Sequence, residues 1–200
     1  MAIGIPLFRW TLFAALLLPL GWLFYAWKSG DLGVFPAETA LHLLGLWGLW
    51  LLLTTLLMSP LFRLTRWRGF MAVRRQLGLW AFVYLALHLW VWLWLDQGWN
   101  WEFILAEMRD LRHLQVGLIS WLLLVPLVLT SAPAAQRALG LRRWQWLHRL
   151  AYVAAAGGVW HFWIVARADR PELLWSAVAL TLLVVLRAGA GLWERFRNPA

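Results

Sequence analysis

The feature that most constrains this chain is a series of apolar runs, such as "LGLWGLWLLLTTLLM" (44–58), "LWAFVYLALHLWVWLWL" (79–95) and "WLLLVPLVL" (121–129). They approach the ~20 residues that a helix rising ~1.5 Å per residue needs to cross the hydrocarbon core of a bilayer. Short polar connections separate them, so the sequence predicts an all-α, polytopic membrane protein. Six spans are expected, roughly 8–27, 41–59, 75–95, 114–131, 145–166 and 172–189. Apolar and polar residues do not alternate in the manner of an outer-membrane barrel strand. The first run begins behind Arg9, but "FYAWKSG" puts bulky residues where a signal-peptide cleavage site wants small ones, so it is expected to be a retained helix.

Charge gives the bundle a direction. With a cytoplasmic N-terminus, the inner segments carry Arg9, Arg63, Arg66, Arg68, Arg74, Arg75, Arg137, Arg142, Arg143, Arg149, Arg187, Arg195 and Arg197. The outer segments carry only Lys28, Arg109, Arg112, Arg167 and Arg170, with eight of the nine acidic residues. The positive-inside rule therefore predicts both termini in the cytoplasm. A net charge of +9 sorted by membrane side calls for no nucleic-acid partner.

The connections are too short for a soluble catalytic module, and no Gly-rich phosphate loop follows a strand; a single domain over residues 1–200 is expected. The longest outer connection, "DQGWNWEFILAEMRDLR" (96–112), reads as an amphipathic surface segment; it and the tight "RADRPE" (167–172) are the places where an outer partner would meet the chain. The chain has no cysteine, which excludes disulfides, thiolate metal sites, Cys-ligated iron–sulfur clusters and c-type haem attachment. Its 19 tryptophans read first as packing and interfacial anchors, with haem-edge packing or electron relay as a minor role for a few.

The five histidines are sorted by depth. His42 and His113 fall at the outer ends of their spans, where interfacial water solvates them. His88 lies within span three, where an unpaired imidazole is unfavourable and an ionisable group is by default functional. In span five His161 follows His148 by thirteen residues, about 20 Å along a helix, which brings it close to the depth of His88. Two imidazoles at one depth on two parallel spans suit the axial positions of a b-type haem. The alternatives are histidines satisfied by backbone carbonyls or by Ser and Thr, and a proton relay, which wants intramembrane carboxylates that the chain lacks.

One angle resists. Thirteen residues at ~100° each set His148 and His161 about 140° apart around an ideal helix, and Gly157–Gly158 between them mark the expected kink or π-bulge. His148 sits among Arg142, Arg143 and Arg149, charges suited to haem propionates, as are Arg74 and Arg75. Counting thirteen back from His88 puts Arg75, not a histidine, opposite His148.

The stretches "RRQLGLWAFVYLALHL" (74–89), "RRWQWLHRLAYVAAAGGVWHFW" (142–163) and "HLLGLWGLWLLLTTLLMSPL" (42–61) resemble those of the MsrQ (YedZ) family, within the ferric-reductase-like transmembrane superfamily. The resemblance implies a bacterial inner-membrane cytochrome with one or two haems b, whose iron ligands carry over to His88, His148 and His161. It implies electrons drawn from the quinone pool or a cytoplasmic flavin source and passed to a periplasmic, molybdenum-dependent MsrP-like reductase of methionine sulfoxide. FMN is implied by the resemblance alone, with no residues to assign to it. Oxidase relatives carry two histidines on each ligand helix; the arginines at 74 and 75 depart from that pattern and leave the second ligand of an inner haem open. A stand-alone ferric or quinone reductase of the same fold and a non-redox membrane anchor are the competing readings.

Overall fold

In a computed structural model of the chain, residues 4–166 and 170–197 are described, with backbone alone from 190 onward. Arg167 therefore lies outside the described residues, as do the side chains of Arg195 and Arg197. The described chain is helical: α1 Gly4–Ser29, α2 Pro36–Thr65, α3 Gly69–Val91, α4 Trp101–Asp110, α5 Arg112–Leu129, α6 Pro133–Leu139, α7 Leu141–Leu147, α8 Leu150–Val165 and α9 Pro171–Arg197. A single π-helical stretch, Trp92–Asp96, prolongs α3 beyond His88.

Among the described residues, five segments have the length and apolarity to cross a membrane: Gly4–Ser29, Pro36–Thr65, Gly69–Asp96, Arg112–Leu129 and Pro171–Gly189. The expected fifth span, 145–166, is divided. Its apolar part, α8, has 16 residues, and α7 stops at Leu147 with His148 as its C-cap. The connection over 96–112 holds α4, whose Asn100 side chain accepts the Phe103 N–H as an N-cap.

Two antiparallel pairs make the frame. Helices α2 and α3 are joined by a tight turn in which Arg66 takes a left-handed conformation (φ 60°) and its N–H closes on Phe62 O. Helices α5 and α8 pack through small residues, with Ala151, Ala154 and Ala155 buried on α8. The pairs meet at a core of Leu49, Leu52, Leu53 and Leu56 from α2, Ala81 from α3, Leu124 and Leu127 from α5, and Val159 from α8. Helix α1 lies against α3, where the buried Tyr84 hydroxyl donates to Leu16 O at 2.7 Å.

Helix α8 runs through Gly157 and Gly158 as continuous α-helix, with none of the expected π-bulge. Gly157 serves close approach instead, since a Cβ there would collide with the Ser120 hydroxyl on α5. The break that changes the helix phase lies at His148–Arg149, between α7 and α8. Many tryptophans, among them Trp10, Trp22, Trp146, Trp160 and Trp175, are more than half exposed on the protein surface, as lipid-facing anchors would be.

Gly157→Leu is expected to overpack the α5–α8 contact by about 1–3 kcal/mol and to lower the thermal midpoint in detergent. Gly21→Leu, whose Cβ meets nothing within 4 Å, is expected to leave it unchanged. Equal midpoints for the two variants would contradict this packing.

Candidate functional site

Helices α3 and α8 run in the same direction and bring His88 and His161 together near their ends. The ring centroids are 6.1 Å apart and the ring planes 83° from parallel. Each ring is held in the same way. His88 Nδ1 lies 2.8 Å from Leu41 O in the second turn of α2, and His161 Nδ1 lies 2.8 Å from His113 O in the first turn of α5. A carbonyl oxygen only accepts, so each Nδ1 must carry the proton and each Nε2 must present a lone pair. Neither Nε2 makes a hydrogen bond among the described residues.

That donor set suits a metal. With metal–nitrogen bonds of ~2.0–2.1 Å and about 1.1 Å from nitrogen to ring centre, imidazoles on opposite sides of one ion have centroids about 6 Å apart. Two nitrogens are too few to hold a bare ion, and no group of three or more His, Cys, Asp or Glu suited to a metal occurs among the described residues. They are the number required where a planar macrocycle supplies the other four ligands. The residues present fit a haem, which His88 and His161 would hold.

The remaining histidines differ. His42 is exposed. His113 is half-buried, with its ring centroid 6.1 Å from that of His161, and its backbone carbonyl rather than its imidazole serves the pair. His148 stacks on Trp144 with centroids 4.1 Å apart, and its Nε2 lies 3.1 Å from Thr130 Oγ1. That hydroxyl donates its one hydrogen to Pro126 O at 2.6 Å, so it accepts from His148 Nε2–H, which leaves Nδ1 as the free lone pair. His148 thus has the opposite tautomer to His88 and His161.

The arginine beside His148 is Arg74, half-buried and within electrostatic reach of His148, Tyr152 and Arg187. Arg75, expected there from depth alone, is exposed, because a position thirteen residues before His88 lies about 140° around α3 from its face, whereas Arg74, one residue further back, lies within about 40° of it. Arg142, Arg143 and Arg149 are exposed too, with Arg149 4.1 Å over the Trp146 ring. Arg187 lies 5.0 Å over the Tyr152 ring. The sequence reading missed Thr130, Trp144 and Tyr152, for which polar or aromatic residues in an apolar run were the available signal. It also missed the Leu41 and His113 carbonyls, which no side chain advertises.

Comparison with known proteins gives the family. The family described as ferric reductase like transmembrane component matches residues 44–159. A protein-methionine-sulfoxide reductase heme-binding subunit MsrQ of Rhodospirillum rubrum is 42% identical over 179 residues, covering 90% of this chain and 86% of the relative. The MsrQ of Brucella anthropi is 41% identical over 176 residues (88% and 79%), and that of Brucella ovis 40% over 192 residues (96% and 86%). No solved structure matches the chain.

Nitrogen NMR of histidine-labelled protein freed of any bound metal is expected to show His88 and His161 protonated at Nδ1 and His148 at Nε2. A single tautomer shared by all three would contradict the assignment.

Proposed function

The chain belongs to the MsrQ family of ferric-reductase-like transmembrane proteins, and from that premise we propose that it is a haem b electron-transfer subunit of a protein-methionine-sulfoxide reductase system. In this role it takes electrons from the quinone pool or a cytoplasmic flavin source and delivers them to a periplasmic, molybdenum-dependent MsrP-like reductase. The observation that carries the reading is the convergence of His88 and His161, each tied at Nδ1 and unpaired at Nε2. Bound haem supplies one-electron redox chemistry, which amino-acid side chains here do not.

The protein's part is orientation and enclosure. The Leu41 and His113 carbonyls fix the tautomer, stop ring rotation and raise the basicity of the ligand nitrogens, as hydrogen-bond partners of metal-bound histidines do. The apolar residues of α2, α3, α5 and α8 keep water from the span between the outer histidines and the inner face. His148 would be the residue to hold an inner haem, and Arg74 beside it would neutralise a propionate. Arg75, Arg142, Arg143 and Arg149, being exposed, serve the positive-inside orientation. That asymmetry supports a six-span bundle in the bacterial inner membrane with both termini cytoplasmic, α8 completing its span together with the turn at His148.

Purified protein is expected to show a reduced b-type spectrum that His88→Ala and His161→Ala each abolish at the outer position, while His148→Ala retains it. A colourless wild-type protein would defeat the conduit in favour of a membrane anchor, and unchanged haem in both outer variants would defeat the ligand assignment. Electron delivery to a co-purifying periplasmic molybdoenzyme separates this role from a stand-alone ferric or quinone reductase.

A further inference from the structure

In an α-helix the carbonyl of residue i points along the axis toward residue i+4. A ring that bonds that oxygen from outside the helix therefore lies over the side-chain position four residues on. At Leu41 that position is Gly45, and at His113 it is Gly117. A Cβ on Gly45 would sit 2.9 Å from His88 Nδ1 and 3.0 Å from Cε1. On Gly117 it would sit 2.9 Å from His161 Nδ1 and 3.1 Å from Cε1. The same carbonyl-plus-glycine arrangement thus occurs twice, once in each helix pair.

We propose that Gly45 and Gly117 are paired positioning residues that let each imidazole lie flat on its neighbouring helix, and so set the planes and tautomer of the two haem ligands. Neither glycine has positive φ, so backbone freedom does not explain them. Both stand in helix interiors, where glycine is less favourable than alanine. An added methyl forces the ring to tilt or withdraw, which breaks the 2.8 Å bond to the carbonyl. Gly78, also on the α2–α3 interface, is the contrast: its Cβ would make only an ordinary contact, 3.4 Å from Thr55 Cγ2.

The inference rests on the haem reading for its spectroscopic consequence, but the ring–glycine contact is testable without haem. Gly45→Ala and Gly117→Ala are made in the full chain, each also in the background lacking its ring, His88→Ala or His161→Ala. In the wild-type background each is expected to weaken haem retention by ~10–100-fold, the range for loss of a partner that orients a metal ligand, or to move the largest g-value of the ferric low-spin signal where haem is kept. In the ring-less backgrounds, stripped of haem, the same substitutions are expected to leave the thermal midpoint unchanged or raise it. Gly78→Ala should retain wild-type haem content and signal.

Wild-type haem content and signal in both glycine variants would overturn the proposal. So would an equal loss of thermal midpoint with and without the ring, since that marks a glycine needed for helix packing alone. A wild-type protein without haem fails the haem reading instead, and the thermal comparison still decides the contact.

Discussion

One interaction, made twice, organises the centre of this protein: an imidazole N–H donated to a helix carbonyl at 2.8 Å. In hydrocarbon an unsatisfied polar group is strongly unfavourable, so a histidine in a membrane span needs a partner for each nitrogen. Leu41 and His113 supply one partner through the backbone. What remains is one lone pair on each of two neighbouring rings of α3 and α8, and in the proposed function a shared metal would satisfy both at once. Helix pairing follows from this, because α2 must stay beside α3, and α5 beside α8, for the carbonyls to reach the rings.

The two halves of the bundle therefore carry equivalent arrangements at the His88–His161 end and unequal ones at the His148 end. At that end His148 is held by Thr130 and Trp144 with Arg74 beside it, so one imidazole and a cation stand together there. The apolar core between the two levels is continuous from Leu49 to Leu127 and Ala151. A transmembrane electron conduit needs such an arrangement: redox centres at separate depths within a water-excluding wall. Membership of the MsrQ family, whose relatives are named as heme-binding subunits, is what ties this geometry to the proposed conduit.

Much of this was legible in the sequence because the bilayer imposes simple rules. Apolar run length located the helices, and helix rise placed His88 and His161 at one depth. What the sequence could not convey depends on helix phase and on the backbone. Gly157–Gly158 looked like a hinge, yet Gly157 relieves crowding against Ser120 and Gly158 against Leu49, and the helix is interrupted at His148–Arg149, where no Pro or Gly marks it. Arg74 rather than Arg75 stands beside His148 because it lies about four whole turns of α3 before His88, on nearly the same face. The carbonyls of Leu41 and His113 are common to every residue type, and only the glycines four positions later hint at what they do. The divided fifth span shows the same limit, since hydropathy reads α7 and α8 as one run.

The central claim is that His88 and His161 grip one haem iron from opposite sides. A density map of the purified, pigmented protein tests it most directly. The account predicts a planar macrocycle between α3 and α8 with its iron bonded to Nε2 of both residues, while each Nδ1 stays on its carbonyl. Haem density ligated elsewhere, or the two imidazoles packed together with nothing between them, would contradict it.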